Sequence, residues 1–438
     1  MRFRLPTRRA DAAAVFLIGS ACGGFINSLM FTPLAVYYVL TVGMDPLQLI
    51  LVGTTLEATI ILFEVPTGIV ADVFSRRLSI VLGRLLVGVA FIFEGSIPLF
   101  GAIVLAEMIR AIGETFLSGA SQAWLADEVG NERVAGLFLR GAQLNRAASL
   151  AGIAAGVGLA SIQLNLAVIV GGSMTVALGV FLALAMPETG FRRAPRTSHA
   201  PFGSMVHIVR TSVRHMRANP VLLLFLGIAA SAGASSEGFD RLWEAHLLTS
   251  FTFPSLGSLQ PIVWFGILNT IGTLLGIAAI QLGVRRLTTS DDQRVARVLL
   301  VLQSVWLVAV VVFGLTENFA VAVLALWSKR VADSMSGPLF AAWRTRVIPS
   351  EVRATVLSAI SQGDAIGQVL GGPMVGAIGS GFSIRAAMVA SSALHAPVLA
   401  LLVRLRGVSR PAYSEPENLV VEPGSGGAAD AAGTLGKG

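Results

Sequence analysis

The chain has 438 residues, 54% of them hydrophobic and only 13% charged, with a mean hydropathy of +0.75; that composition excludes a soluble globule and makes the lipid bilayer the expected partner. The net charge of +7 does not indicate nucleic acid, because the basic residues lie at the ends of apolar runs and no basic helix stands alone. A lone cysteine, Cys22, excludes an internal disulfide framework.

Twelve apolar runs are long enough to cross ~30 Å of hydrocarbon at about 1.5 Å per residue. Their limits are 12–40, 46–70, 78–98, 101–124, 134–160, 163–186, 220–248, 260–283, 295–315, 318–343, 354–378 and 384–403. The first run is too long for a signal-peptide core and is expected to be retained as a span. The six turns around Asp45, Ser96, Ser161, Ser255, Glu317 and Gly381 hold no Lys or Arg, whereas 24 of the 32 basic residues fall in the alternate turns and chain ends. Basic side chains beside a span stay inside, so both termini are predicted to be cytoplasmic. The organisation is then a cytoplasmic N-terminus (1–11), six spans (12–186), a cytoplasmic connector (187–219), six more spans (220–406) and a Gly, Ala, Glu and Pro-rich tail (407–438) expected to be disordered. His199, His207 and His215 in the connector are eight apart without clustered acids or cysteines, so no metal is expected there. Lys329 and Lys437 are the only lysines, a bias that suggests a GC-rich bacterial genome and hence a bacterial cytoplasmic membrane.

Between the second and third runs, the stretch FEVPTGIVADVFSRRLSIVLG from Phe63 to Gly83 places Gly68, Asp72 four residues on, and then Arg76 and Arg77 in a short inside turn. This spacing resembles the signature between helices 2 and 3 of the major facilitator superfamily, with Ser75 where a glycine usually precedes the basic pair. The chain also repeats. A shift of 220 residues pairs Arg110 with Arg330, Arg133 with Arg353, Gly152 with Gly372 and Gly156 with Gly376. WLADEVGNERVAGLF and WRTRVIPSEVRATVL thereby occupy matching turns, and both resemble the acid-then-arginine turn of that superfamily. The resemblance covers about residues 10–405. It implies an all-α membrane protein of twelve transmembrane helices, in two six-helix pseudo-symmetric bundles around a central cavity. It also implies a conformational latch of Gly68, Asp72, Arg76, Arg77, Asp127 and Glu128. Asp72 would face the start of the eleventh helix near Arg353 to Ser358, and Arg76 or Arg77 would pair with Asp127 or Glu128.

Charge inside a span is expensive, so chemistry is sought there. In the fourth run Glu107, Arg110 and Glu114 share one helical face and can neutralise one another. They read either as a self-contained ion triad or as a protonatable pair governed by Arg110, which looks like the helix 4 arginine of drug antiporters ahead of a glycine, here Gly113. Glu57 and Glu64 in the second run have no basic residue in their own span. Lys329, Arg330 and Asp333 form a neutralised group in the tenth run, and Asp364 lies near mid-depth in the eleventh. The proton-coupling candidates are therefore Glu57, Glu107, Arg110, Glu114, Asp333 and Asp364. Cavity candidates are Asn27, Gln122, Arg146 and Arg330, with Arg146 left open as a counter-ion for a glutamate, for cargo or for Asp364. Glu237, Asp240, Arg241 and Glu244 read as a solvated outer terminus of the seventh run. Gly152 and Gly156, with Gly367, Gly371, Gly372 and Gly376, supply small faces for close helix approach. The superfamily's antiporter signature has its Gly-Pro in helix 5; here Gly372-Pro373 falls in the eleventh run.

No nucleotide-binding loop G-x-x-x-x-G-K-[ST] and no soluble catalytic constellation is present, so neither an ATPase nor another enzyme is expected. The resulting expectation is a secondary transporter without cofactors, driven by a proton gradient and monomeric, that exports a hydrophobic or amphipathic small molecule. Uptake by symport or uniport, or a non-transporting receptor or scaffold, are the other readings on the same fold. The topology is testable: a cysteine at Ser198 should be labelled by an impermeant thiol reagent only from inside, and one at Ser255 only from outside. Labelling of both from one side contradicts twelve spans.

Overall fold

A computed structural model describes residues 11–191, 220–255, 260–284, 292–348 and 353–407. The three connector histidines, Ser198, most of the connector, the N-terminal arginines and the tail lie outside the described residues. Among the described residues the chain is helical throughout, with no strand.

Asp11 caps α1 (Ala12–Tyr37), which runs on through a π-helical turn over Tyr38–Val42 to Gly43 at φ 74°. A reciprocal capping box of Asp45 and Gln48 starts α2 (Pro46–Val73), with Pro46 in its first turn where the missing N–H costs nothing. Ser75 caps α3 (Arg76–Ser96), accepting from Leu78 N at 2.9 Å. Its φ of −173° is extended backbone, so the turn needs no glycine there. The fourth run is two helices rather than one, α4 (Phe100–Leu117) and α5 (Ala120–Val129), broken at Gly119 with φ 68°. Apolar periodicity does not register a single left-handed residue. There follow α6 (Asn131–Ile162), α7 (Leu166–Ala185), α8 (Pro220–Ser250), α9 (Ile262–Ala279, with a π turn to Val284), α10 (Asp292–Leu315), α11 (Phe319–Val347), α12 (Arg353–Gly381) and α13 (Ile384–Gly407). With α4 and α5 counted as one pass, these make the twelve spans.

Eight of the spans are long and apolar enough to cross a membrane by length and composition alone. The other four are α4 with α5, α6, α11 and α12, which hold most of the charged candidates and occupy the same two places in each half. In the first half α1 packs on α6 and α7, α3 on α4 and α7, and α2 on α4; in the second, α8 packs on α12 and α13, and α10 on α11 and α13. Between halves the main seam is α2 against α12, with α6 against α9. The seam starts at the end of the bundle that holds Asp45 and Ser380, the end expected to face outward. Gly372 and Gly376 bring α12 onto Ile50, Thr54 and Leu47, Ser380 donates to Asp45 and accepts from Leu47 N (2.9 Å each), and Gln260 donates to the Ser161 carbonyl at 3.0 Å. One apolar core runs through the first half and the outer part of the second, taking in Phe239, Trp243, Phe265 and Val375. A separate core of Val221, Phe225, Leu299, Trp343, Val356 and Leu402 fills the inner end of the second half.

The glycines do not pair as the 220-residue shift suggests. Gly152 and Gly156 lie on the α1 backbone at Phe25 and Leu29, but the glycines on the equivalent α8 backbone, at Ala230 and Ala234, are Gly367 and Gly371. Gly372 and Gly376 serve the seam between halves instead. Gly152→Ala should therefore destabilise the fold by about 1–3 kcal/mol. Gly158→Ala on the same helix meets open space and should be neutral or stabilising by up to ~1 kcal/mol. Thermal unfolding of both variants in detergent checks the difference.

Candidate functional site

The central region is built from charges that hydrocarbon would not tolerate singly. In α4, Arg110 donates to Glu107 from Nε (3.0 Å) and Nη2 (2.5 Å), and from Nη1 to Glu114 at 2.7 Å. Its guanidinium also faces the Phe91 and Phe31 rings, 5.4 and 5.8 Å from their centroids. Arg110 and Glu107 are buried, whereas the Glu114 side chain is 39% exposed. Only Glu114 of the three retains a wet face.

The second half adds an ion pair between helices to those within one. Lys329 of α11 pairs with Asp240 of α8 at 2.7 Å and with Asp333 at 3.0 Å, and lies over the Phe239 ring at 4.5 Å. Arg330 is not in an ion pair with Asp333. It donates to Asn269 Oδ1 of α9 at 2.8 Å and stacks on Trp243 at 4.9 Å. Glu237 and Glu244 are buried, Glu237 accepting from Arg241 at 2.9 Å, so the acidic stretch of α8 is not a solvated terminus. The reason is tertiary: Gly53 of α2 has no side chain, and the Glu237–Arg241 pair fills that space from the opposite half. Arg385 is partly exposed at the start of α13, paired with Glu317 at 3.1 Å.

Between the halves lies a cavity of about 390 Å³ lined by Arg146 of α6, by Gly272, Thr273, Gly276, Ile277 and Ile280 along α9, and by Arg330, Asp333 and Ser334 of α11. Arg146 and Arg330 thus line one space. Asn27 and Gln122 do not; both are exposed elsewhere. Arg146 is not bonded to Asp364, which is half-buried on α12 and accepts from Gln368 at 2.9 Å. Glu64 accepts from Gln362 at 2.9 Å, linking α2 to α12. Glu57, also half-buried, has no hydrogen bond or ion pair with a described residue and interacts through space with Glu237, Arg241, Asp364 and Glu114.

At the inner end Arg76 pairs with Asp127 and donates to the Ala123 carbonyl at 2.7 Å. Glu128 instead accepts from Thr189 N, Thr189 Oγ1 (2.6 Å) and Gly190 N (2.7 Å). Arg77 bonds to the Ala183 carbonyl, and its backbone N–H donates to Glu188 at 3.0 Å. All of these partners belong to the first half or to the start of the connector, so they anchor the turn and do not bridge the halves. Asp72 is exposed without a bond to a described residue, and Gly68 faces open space.

Three groups escape the sequence reading. Glu94, wholly buried in α3, accepts from the Tyr38 hydroxyl and leaves its other oxygen without a hydrogen bond. Its signal is a lone acid in an apolar run, but it stands near the run's end, where a hydrated terminus accounts for it equally well. Glu188 ties the α2–α3 turn through Ser75 Oγ at 2.8 Å. His395, stacked on Trp306 at 4.0 Å, joins Ser235 to Gln303 at 2.9 and 2.8 Å. Among the described residues no group of three His, Cys, Asp or Glu side chains is arranged to hold a metal.

Twelve spans in two halves around a charged cavity define a multi-pass membrane transporter. Residues 16–361 match the family model of the Major Facilitator Superfamily, and the chain belongs to that superfamily. It is 22% identical over 383 residues to an uncharacterized MFS-type transporter, YxaM, of Bacillus subtilis (strain 168), across 86% of this chain and 91% of that protein. Its fold is similar to the nucleoside transporter NupG, with TM-score 0.71 and 12% identity over 90% of this chain and 99% of that one. It is also similar to a bacterial homolog of the human lysosomal transporter Spinster in an inward-facing, unoccupied conformation, with TM-score 0.70 and 15% identity over 90% and 96%. At that identity these structures speak to the fold alone.

The shared ammonium of Lys329 yields a stability prediction. Lys329→Met leaves Asp240 and Asp333 without their cation. Both acids are about half exposed, so the cost should be roughly 1–3 kcal/mol, below that of a sealed pair. Adding Asp240→Asn and Asp333→Asn should restore most of the thermal stability.

Proposed function

We propose that the chain is a proton-coupled exporter of a hydrophobic or amphipathic small molecule, working by alternating access in a bacterial cytoplasmic membrane with both termini inside. The observation that carries this reading is the position of Glu57. Its carboxyl is half-buried and unbonded among the described residues, and it interacts with Glu114 of its own half and with Glu237, Arg241 and Asp364 of the other. Gain or loss of one proton there changes the electrostatic balance between the halves, which is what coupling to a gradient requires. Glu114 and Asp364 are the nearest groups to share that proton.

The seam of α2 with α12 runs from Asp45 through Thr54 to the Gln362–Glu64 bond, and the core at the inner end of the second half is separate from the core that the halves share. This supports an inward-facing state. On this reading Asp72 meets the start of α12 only when the inner ends close, where free backbone N–H groups favour an anion. Uptake of a metabolite by symport or uniport is the second reading, favoured by the guanidinium-lined cavity. The named cargoes of the similar folds differ, so cargo must be argued from the cavity itself.

Everted membrane vesicles loaded with a dye panel test direction and coupling together. Export predicts uptake into everted vesicles that rises with an imposed proton gradient. Glu57→Gln or Asp364→Asn should remove that gradient dependence while leaving cargo binding in place. Normal transport with a full pH response in both variants would make these two residues packing groups.

A further inference from the structure

We infer that the cavity between the halves is an anion-recognition site, and that the cargo carries one carboxylate-like group on a compact apolar body. This rests on the transporter reading above but not on the direction of transport. The first observation is Arg146. It stands sixteenth of the 32 residues of α6, near mid-span, and it is exposed to the cavity without a hydrogen bond or ion pair to a described residue. A guanidinium at that depth calls for a counter-ion, and the described residues supply none within bonding distance.

The second observation is Arg330, which faces the same space from the other half. Its Nη2 is held by Asn269 and its plane by Trp243, so the fork is fixed in orientation. Glu244, Asp240 and Asp333 act on it only from beyond ion-pair distance. Asp333 is the one carboxylate on the lining, and Lys329 already holds it at 3.0 Å. Two guanidiniums against one compensated carboxylate leave a positive surplus on the walls. Guanidinium forks match a carboxylate in two-point fashion, better than they match any neutral polar group. Of the remaining lining, Ile277 and Ile280 offer an apolar wall for a ring beside the hydroxyls of Thr273 and Ser334, while Gly272 and Gly276 let Arg330 and Ser334 lie close on α9. A volume of about 390 Å³ limits that body to a small molecule.

The two arginines belong to different halves, so an anion held by both is a bridge between them. Bound cargo then favours drawing α6 and α11 together over the empty open state.

Binding is measured with the full chain in lipid nanodiscs, using three probes of equal body: naphthalene-2-carboxylate, its neutral amide, and 2-naphthylmethylamine. The carboxylate should bind about ten- to a hundredfold more tightly than the amide, and the amine weakest. Arg146→Gln and Arg330→Gln should each erase that preference, Arg330→Lys should keep part of it, and the α13 variant Arg385→Gln should keep all of it. Arg146→Gln leaves no partner orphaned, so its fold should be intact. Equal or tighter binding of amide or amine, absence of carboxylate binding, or a preference that survives both Gln variants would overturn the inference. Proton-driven export of neutral or cationic dyes alone would do so as well while leaving the export reading intact; carboxylate binding without gradient-dependent transport would do the reverse.

Discussion

An ionised side chain inside a hydrocarbon slab must be paired or reach water, and the arrangement of this molecule follows from how each half meets that condition. In the first half, Arg110 is neutralised by acids three positions before and four after it on the same helix. The group is complete as soon as α4 forms. In the second half, Lys329 of α11 is paired with Asp333 on its own helix and also with Asp240 of α8, so its full set of partners is made only when two helices are docked. The consequence is mechanical. The α4 triad can shift with its helix without breaking an ion pair, whereas sliding α8 along α11 strips a buried ammonium of half its counter-charge.

The interface between halves is made of different material. Where α12 crosses α2, Gly372 and Gly376 remove side chains so that Ile50, Thr54 and Leu47 lie against the backbone. Dispersion and a few hydrogen bonds of Asp45, Ser380 and Glu64 hold this seam. Without a strong hydrophobic drive between helices in lipid, such contacts are cooperative in closure yet individually weak. A seam of that kind can part during a transport cycle. The ion-paired interiors of the halves cannot part at comparable cost, so rigid halves hinging about a small-residue seam are the economical motion.

Much of this was legible in the amino-acid order. Span limits follow hydropathy because the bilayer imposes a length, and the α4 triad follows helical spacing because its members are neighbours on one helix. What escaped was decided by tertiary contact. Nothing local indicates that Glu237 and Arg241 of α8 will settle over Gly53 of α2, which turns an apparent wet terminus into a buried pair. The glycine repeat misled because identical spacing on α6 and α12 serves different neighbours. Arg146 is readable as a mid-span charge, but its having no bond to a described residue depends on how the helices dock, which leaves Asp364 to Gln368 of its own helix.

The inner ends carry the same lesson about which charges move. Arg76 with Asp127, and Glu188 at the start of the connector with Ser75 and Arg77, fix the α2–α3 turn as a rigid corner without reaching the second half. Asp72 at that corner is exposed without a bond to a described residue, and Gly68 one turn earlier faces open space. A fixed corner that presents a carboxylate free of described partners is pre-organised for a further contact. Because the corner is already rigid, forming that contact would cost little further ordering, and its free energy would go largely into the balance between inward and outward states.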